Sequence, residues 1–355
     1  MPEFVSSADP SGQRWTEAGA FEVAPGVYRV PLPLPMDALR AVNVYVIEDD
    51  DGLVLIDGGW ALAESRDPLS AALASLGYRL SDIRRFLVTH LHRDHYTQAI
   101  ALRRETGASV SIGIGEKPAL DLLQRHDPLA RFEPQQAILL LSGATELLDR
   151  IGKLGLSEAP PEHYAAPDHW LDHGIQVHLG TRMLRAVPTP GHTQGHMVFA
   201  DADSGLLFAG DHVLPHITPS IGFEPIPADL PLRNYLESLR VVLDLPDMRL
   251  LPAHGPVTDS AHARVRELLE HHDARLQSCL AAVRSGAATA AEVAGLLDWT
   301  RRQRRLESLD DFNQMLAICE THSHLEVLVA AGQLTADAGE PTKYSLTDPP
   351  TAGRH

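Results

Sequence analysis

The chain has 355 residues, of which 44% are hydrophobic and 22% charged, and its formal net charge at pH 7 is -17. This length exceeds what one hydrophobic core usually organises, so a large domain and a smaller one are expected. The acidic balance opposes binding to polyanionic nucleic acid, and no uninterrupted apolar run is long enough to cross a membrane.

The amino-terminal residues and the cysteines give no sign of secretion. The stretch MPEFVSSADPSGQRW lacks a basic start followed by an apolar run, so we expect a cytoplasmic location. The two cysteines, Cys279 and Cys319, fall in apparently helical stretches and form neither a disulfide framework nor a paired metal motif. Any metal is therefore expected to be held by carboxylates and by some of the 19 histidines.

The first half of the chain has the pattern of meandering strands followed by a strand, helix, strand unit. Residues 26–57 alternate apolar or β-branched residues with polar and turn residues, which is typical of strands. Apolar spacing predicts helices over 67–76 and 98–106, with buried strands in IRRFLVTH and ASVSIGI. An insertion over 116–170 has no strand character, and its stretch LLSGATELLDRIGKLGL predicts one amphipathic helix.

The second half changes from strands to helices. Strands are predicted in GIQVHLG, MLRAVPTPG, MVFADADSGLLFAGD and MRLLPAHG, and three helices and a hairpin follow from His262 onward. Three helices and a hairpin suggest a winged-helix domain. We therefore predict a flexible amino terminus over 1–20, a catalytic domain over 21–261 and a helical domain over 262–355, with a flexible end from 347.

The motif THLHRDH is the strongest local signal for chemistry. It places His90, His92, Asp94 and His95 at the end of a buried strand, where side chains two positions apart face the same way. His90 and His92 can then bind one cation while the other two side chains turn toward a neighbouring one. The same pattern of a strand end beside glycine recurs later in the chain, at His192, Asp211 and His254.

The order of these motifs resembles the metallo-β-lactamase superfamily, especially its glyoxalase II-like branch. The resemblance covers about residues 20–260 and rests on His-x-His-x-Asp-His, Gly-His-Thr, Gly-Asp and Pro-x-His-Gly. It implies an α/β fold, an αββα sandwich, followed here by the mostly helical winged-helix-like domain. It also implies a binuclear metal site in which one metal is held by His90, His92 and His192, the other by Asp94, His95 and His254, and both are bridged by Asp211.

This ligand set predicts hydrolytic chemistry. Three imidazoles leave a coordination position open for solvent, as a catalytic zinc requires. Two cations would lower the pKa of a shared water and polarise a substrate carbonyl, so Asp94, Asp211 and His254 are the expected catalytic residues. Two Zn²⁺ per chain are expected, although imidazole and carboxylate also suit manganese, iron or nickel.

Some residues near the motifs are expected to support the ligands. Asp57 stands where the family resemblance implies a partner for the second ring nitrogen of a ligand histidine, and His196 is expected to pack or to support the site. The motif is followed by Tyr96, where the family usually has a small residue, and we expect this tyrosine to narrow the pocket. His212 and His216 are expected to be loop histidines that could reach substrate.

The carboxy-terminal helices contain further histidines and a short basic run. His271, His272, His322 and His324 are expected to be solvated on exposed helix faces. The basic run, Arg301, Arg302, Arg304 and Arg305, precedes the third helix rather than lying along it, which disfavours dedicated nucleic-acid binding. A lid over the active site or a homodimer surface is the expected role of this domain.

The leading hypothesis is hydrolysis of an ester, thioester or lactone of a small-to-medium molecule by a metal-bridging hydroxide. Two alternatives of the same superfamily are an endoribonuclease or phosphodiesterase, which the acidity disfavours, and a mononuclear iron persulfide dioxygenase. A fourth hypothesis, a regulator whose metal domain only senses a ligand, would require tight binding to operator DNA, which the acidity of the chain disfavours. A periplasmic β-lactamase would require an export signal, and none is visible in the sequence. No motif in 116–170 or 213–228 identifies the substrate.

Overall fold

A computed structural model describes residues 14–35, 39–125, 132–152, 160–172, 174–300 and 303–347. These described residues form two compact units: unit 1 consists of those within 1–127, 159–219 and 235–267, and unit 2 of those within 128–158, 220–234 and 268–355. The described strands are β1 Phe21–Ala24, β2 Val27–Pro33, β3 Ala41–Asp49, β4 Gly52–Ile56, β5 Ile83–Leu87, β6 Ser109–Gly113, β7 His169–Leu171, β8 Gln176–His178, β9 Met183–Pro188, β10 Met197–Asp201, β11 Leu206–Gly210, β12 Arg249–Pro252, β13 Leu334–Ala336 and β14 Tyr344–Leu346. The helices are α1 Ala63–Ser75, α2 Arg93–Thr106, α3 Lys117–Leu123, α4 Glu133–Leu141, α5 Thr145–Ile151, α6 Pro231–Leu243, α7 Ala261–Arg284, α8 Ala290–Leu296 and α9 Asp311–Ala330.

Unit 1 contains a seven-stranded sheet in the order β1-β2-β3-β4-β5-β6-β7. Its first four strands pair antiparallel, as predicted for a meander, and β4 to β7 pair parallel. The last strand, β7, lies at the end of the 116–170 insertion. We expected no strand in this insertion, and that expectation was wrong for β7. Trp170 pairs with Ile112, so three residues join the sheet edge in a run too short for a periodicity signal.

A second, five-stranded sheet in unit 1 has the order β12-β11-β10-β9-β8. One hydrophobic cluster joins side chains of both sheets, so the sheets pack face to face. Tyr45 of β3 meets Phe208 of β11 edge to face, with ring centroids 5.5 Å apart. Burying a side chain of this size contributes roughly 1.5–3 kcal/mol, so contacts between the sheets hold the sandwich together.

Helices α1 and α2 cover the other face of the seven-stranded sheet. Leu69 and Leu73 of α1 and Ile100 of α2 share a cluster with alternate residues of β2 and β3. Helix α2 begins at Arg93, five positions before the predicted start near Gln98, with His92 as its N-cap. Asp94 and His95 therefore lie in the first helical turn rather than on extended backbone.

Unit 2 is mostly helical. A shared hydrophobic cluster joins α4, α5, α8, α9, part of α7 and the hairpin β13-β14. The prediction of one continuous helix in LLSGATELLDRIGKLGL was wrong, because α4 ends at Leu141 and α5 begins at Thr145. Gly143 lies between them with φ +78, a left-handed conformation that favours glycine and interrupts a helix.

The prediction of solvated side chains was wrong for two of the four helix histidines to which it applied, His271, His272, His322 and His324. His272 and His324 are both 0% exposed, and their rings stack with centroids 5.3 Å apart. His271 is exposed, as expected, and His322 is half-buried beside the Tyr344 hydroxyl. Helix α9 buries residues around much of its circumference, so periodicity could not indicate which histidine faces the core.

Three further expectations concern the termini, the basic run and the cysteines. Residues 1–13, 348–355 and Arg301 with Arg302 lie outside the described residues. Cys279 and Cys319 are buried free thiols in α7 and α9. No helix within the described ranges combines the length and apolar character that crossing a bilayer requires.

Candidate metal centre

The seven predicted ligands all leave the ends of core strands in unit 1. His90 and His92 follow β5, while Asp94 and His95 occupy the first turn of α2. In the second sheet β9, β11 and β12 run in the same direction, and their carboxyl ends lead to the three remaining ligands. Those ligands are His192, Asp211 and His254. The two sheets thus deliver residues distant in sequence to one place.

The first donor group consists of His90, His92, His192 and Asp211. One ligand atom from each residue lies within 4.8 Å of the others. His92 Nδ1 and His192 Nε2 are 3.1 Å apart. The structure thus brings together the three histidines that the motifs predict to bind one metal. Asp211, the predicted bridge, lies in the same group.

The second donor group consists of Asp94, His95 and His254, again within 4.8 Å of one another. His95 Nε2 lies 3.6 Å and His254 Nε2 3.5 Å from Asp94 Oδ2. The tautomer of His254 follows from its other nitrogen, because Nδ1 donates a hydrogen bond to the Ala41 carbonyl at 2.7 Å. Its Nε2 lone pair is therefore directed at the carboxylates.

Asp211 lies between the two groups. Its Oδ2 is 3.5 Å from His192 Nε2 in the first group. Its Oδ1 is 3.3 Å from His254 Nε2 and 3.6 Å from His95 Nε2 in the second. Because each carboxylate oxygen faces a different donor group, this residue has the geometry of a bridging ligand.

The electrostatics leave most of these donors in ligand form. Burial, reinforced by neighbouring imidazoles, lowers the pKa of His90 well below its usual range and that of His92 to about 3. Both rings are therefore neutral, with lone pairs available. Burial opposes ionisation of Asp211, but the surrounding imidazoles, led by His254 and His95, hold its pKa below the usual range.

Four buried atoms in this cluster lack hydrogen-bond partners among the described residues. They are His90 Nε2, His95 Nε2, His254 Nε2 and Asp211 Oδ1. Buried polar atoms are nearly always satisfied, so a convergent set of this kind requires an explanation. Neutral imidazoles and carboxylates are the donors that zinc and similar divalent cations take, and the residues present fit such ions.

Asp57 makes buried hydrogen bonds to His95 and to the backbone of Thr89. Its Oδ2 accepts a hydrogen bond from His95 Nδ1 at 2.9 Å, and its Oδ1 accepts one from the Thr89 backbone N–H at 2.8 Å. Burial opposes protonation of His95, yet Asp57, Asp94 and Asp211 together raise its pKa to about 10. Asp57 itself has φ +64, so the turn holds it in an uncommon left-handed conformation.

His196 is fully buried beside the first donor group, and both its ring nitrogens are engaged. Nδ1 lies 2.8 Å from Thr189 Oγ1, and Nε2 accepts a hydrogen bond from the Asp211 backbone N–H at 3.2 Å. Its ring stacks on His90 with centroids 5.1 Å apart. The structure therefore places His196 behind the donors, where it orients Asp211.

Strand β3 fixes the loop that carries His254. Asn43 Nδ2 donates hydrogen bonds to the carbonyls of Pro252 at 3.0 Å and Gly255 at 2.8 Å. Tyr45 donates its hydroxyl hydrogen to the same Pro252 carbonyl at 2.8 Å. No sequence motif pointed to these two residues, because they contact a loop about two hundred positions away.

Glu116 is a second supporting residue that sequence reasoning missed. Its buried carboxyl accepts hydrogen bonds from the Thr193 hydroxyl and the Leu91 backbone N–H. These partners lie next to His192 and between His90 and His92, so one side chain connects both ligand loops. Burial raises the pKa of Glu116 to about 7. A lone glutamate after a strand carries no motif, so nothing in the sequence identified it.

The other residues near the motifs lie in different surroundings. Tyr96 is 0% exposed in the core, and its hydroxyl donates to the Ala165 carbonyl, so the expectation that it narrows a pocket was wrong. His212 is also 0% exposed and packs edge to face on Tyr235, with centroids 5.2 Å apart. His216 is half-buried. Of these two histidines, His212 is a core residue rather than an accessible loop residue.

Comparison with known proteins identifies the family of this chain. A family model described as the metallo-beta-lactamase superfamily matches residues 37–254, which include all seven predicted ligands. YobT of Bacillus subtilis (strain 168), an uncharacterized protein, is 34% identical over 174 residues, covering 49% of this chain and 63% of YobT. The alignment thus spans less than two thirds of that relative.

Two longer similarities extend over both units. The probable metallo-hydrolase YqjP of Bacillus subtilis (strain 168) is 26% identical over 322 residues, covering 87% of this chain and 93% of YqjP. A crystal structure of a metallo-beta-lactamase family protein from Thermus thermophilus superposes with a TM-score of 0.74 at 27% identity, covering 92% of this chain and 100% of the other. Because the family match extends over more than half of its residues, this chain belongs to the metallo-beta-lactamase superfamily.

Proposed function

We propose that this chain is a binuclear metal-dependent hydrolase that cleaves an ester, thioester or lactone of a small-to-medium molecule. The observation that carries the proposal is the position of Asp211, whose two oxygens face different donor groups. Similarity to a probable metallo-hydrolase over most of both chains supports the same reaction class.

The two donor groups would hold two cations, which we propose to be Zn²⁺. His90, His92 and His192 would bind one and Asp94, His95 and His254 the other, with Asp211 shared. When bound, such cations lower the pKa of a water molecule and polarise a substrate carbonyl. Because all three predicted donors of the second group lie close together, we favour two bound cations over the single iron of a persulfide dioxygenase.

The exposure of the donors indicates where substrate would approach. His90, His95, His192, Asp211 and His254 are buried, whereas His92 and Asp94 are partly exposed. The Asp94 carboxylate is therefore the donor best placed to orient water or accept a proton during hydrolysis. Asp211 and His254, the other proposed catalytic residues, would keep the ligand geometry fixed from the buried side.

Two finer features belong to the same proposal. The ligand order supports a glyoxalase II-like branch, and α7, α8, α9 and the hairpin β13-β14 support a winged-helix-like carboxy-terminal domain. The net charge of -17 argues against a polyanionic substrate, so the endoribonuclease alternative is disfavoured.

The proposal can be tested by coupling metal content to turnover. Purified chain loaded with Zn²⁺ is assayed against thioesters, lactones, phosphodiesters and RNA, and its metal is counted by elemental analysis. His92→Ala and Asp211→Ala should bind less metal per chain than wild type and should lose ester-class turnover. The matched control His178→Ala, an exposed histidine of β8, should retain both. Turnover that survives His92→Ala or Asp211→Ala would overturn the proposal, and cleavage of RNA alone would replace it with the nuclease alternative.

A further inference from the structure

We propose that unit 2 contains a separate divalent metal site, formed by His271 and His272 of α7 and Glu320 of α9. One ligand atom from each of these residues lies within 4.8 Å of the other two. The imidazole rings of His271 and His272 lie 5.2 Å apart and nearly perpendicular, at 82°. This site shares no residue with the centre in unit 1, and its existence does not depend on the proposed hydrolysis.

Glu320 is the strongest indication that something binds here. Its Oε1 is buried and has no hydrogen-bond partner among the residues that the structure describes. A buried carboxylate oxygen without a partner costs free energy unless a cation or a donor satisfies it. Burial raises the pKa of Glu320, which is the response expected of a carboxyl group that lacks a matched counter-charge.

Arg275 is a nearby cation that could compete for this carboxylate. Its positive charge acts on Glu320, but Arg275 Nε and Glu320 Oε1 both lack a hydrogen-bond partner among the described residues. Arg275 Nη1 instead donates to the Asp298 carbonyl at 3.0 Å, and the guanidinium lies 4.4 Å from the centroid of the Trp299 ring. Nε of Arg275, although also buried, does not hydrogen-bond to Glu320 Oε1, so that carboxylate oxygen is unsatisfied among the described residues.

His324 fixes the tautomer of His272. His324 Nδ1 donates to the Glu320 carbonyl oxygen at 2.8 Å, so its Nε2 carries a lone pair. That Nε2 lies 3.1 Å from His272 Nδ1, which must then be the donor. Nε2 of His272 is left deprotonated and able to bind a cation. Burial lowers the pKa of both rings, so they stay neutral, as imidazole ligands must.

The donor set identifies the class of cation. Two imidazoles and one carboxylate suit zinc and related divalent transition metals, whereas calcium and magnesium prefer oxygen donors alone. His272 donates its other ring N–H to His324, and a ligand histidine typically has its second ring nitrogen engaged in this way by a hydrogen-bond acceptor. The cation would tie α7 to α9 within unit 2 and stabilise that unit.

The test is a difference in metal stoichiometry measured on the full chain. Wild type, His271→Ala and Glu320→Gln are equilibrated with a fixed concentration of free Zn²⁺, and bound zinc is counted by elemental mass spectrometry. Each variant should bind one zinc per chain less than wild type, and His178→Ala should bind as much as wild type. His271 is exposed, so its replacement by alanine leaves the core intact.

This measurement does not depend on catalysis, because the readout is the difference in bound zinc per chain between each variant and wild type. Cobalt titration adds a second readout, since His271→Ala should remove one set of visible absorption bands and leave the bands of the unit 1 centre. Zinc content equal to wild type in either variant would overturn the site. If Glu320→Gln proved poorly folded by circular dichroism, the stoichiometry of His271→Ala alone would decide.

Discussion

Asp57 and His95, 38 positions apart in sequence, are joined by a buried hydrogen bond of 2.9 Å between Oδ2 and Nδ1. This bond places the Nε2 of His95 opposite the carboxylates of Asp94 and Asp211. Ligand histidines held in this way by a carboxylate have a fixed ring orientation and greater basicity. Asp57 would therefore act on a metal at the proposed centre through His95.

Replacing that carboxylate tests the relationship. Asp57→Asn keeps the size of the side chain but removes its charge, so His95 loses both its orientation and part of its basicity. We expect affinity for Zn²⁺ to fall roughly 10- to 100-fold, measured by competition with a chromophoric chelator. Asp203→Asn, an exposed aspartate of unit 1, is the matched control and should bind as wild type does. An unchanged affinity in Asp57→Asn would mean that His95 does not depend on Asp57.

Glu116 predicts an unusual dependence of stability on pH in the metal-free chain. Burial raises its pKa from 4.5 to about 7, so between these values the folded state binds more protons than the unfolded state. The contribution of Glu116 to the free energy of unfolding therefore falls as pH rises from about 4.5 to 7. The largest effect such a shift allows is roughly 3 kcal/mol.

Glu116→Gln should remove this dependence. Denaturant unfolding of the metal-free chain across that pH window should show a weaker decline in the variant than in wild type. Glu105→Gln, at an exposed position of α2, should leave the wild-type profile intact. Parallel profiles for wild type and Glu116→Gln would show that the carboxyl does not titrate in this range.

The convergence of the seven donor residues could be predicted from sequence because each sits in a short motif near a strand end, and the order of the motifs is specific. The residues that position them could not. Thr193 is 77 positions from Glu116, and Pro252 is 209 positions from Asn43. Such contacts are set by sheet topology, which local periodicity does not contain.

The errors in the helical part have the same origin. Residues of α4 and α5 share a hydrophobic cluster with α9, more than a hundred positions later in the chain. Their apolar faces therefore fit a core that the local sequence does not describe. His324 is buried as well, although its spacing on α9 gave no sign of it. The meandering strands and the change to helices after β12 were predictable because they depend on local patterns.

His196 should affect the metal centre through the backbone of Asp211. His196→Ala leaves the Asp211 N–H without its acceptor in a buried position, which costs about 1–3 kcal/mol. The Asp211 carboxylate is then less firmly placed, so the increase in unfolding free energy that Zn²⁺ produces should be smaller than in wild type. Urea unfolding with and without Zn²⁺ measures both effects.

A second variant tests the orientation of the His196 ring while the ring itself is retained. Thr189→Val keeps the imidazole of His196 but removes the hydroxyl that lies 2.8 Å from Nδ1. It should weaken stabilisation by zinc in the same direction, to a lesser degree than His196→Ala. Equal stabilisation by Zn²⁺ in wild type and His196→Ala would show that this histidine serves packing alone.

Gly58 should tolerate no side chain, because the turn after β4 lies directly against α2. A Cβ at this position would lie 2.5 Å from the Ala99 nitrogen and 2.7 Å from the Ala99 Cβ. Since backbone of the helix is the obstacle, Gly58→Ala must displace either the turn that carries Asp57 or the helix that carries Asp94 and His95. Overpacking of this kind costs about 1–3 kcal/mol, and zinc affinity should fall with it.

Gly295 provides a control in which an added Cβ should stabilise the chain instead of destabilising it. It lies in α8, and a Cβ there would meet nothing within 4 Å, so Gly295→Ala should raise the free energy of unfolding by about 0.5–1 kcal/mol through helix propensity. Zinc affinity should not change in this variant. Denaturant unfolding and zinc competition on both variants complete the test. A Gly58→Ala chain as stable as wild type, with unaltered zinc affinity, would mean that the turn and α2 can separate without disturbing the ligands they position.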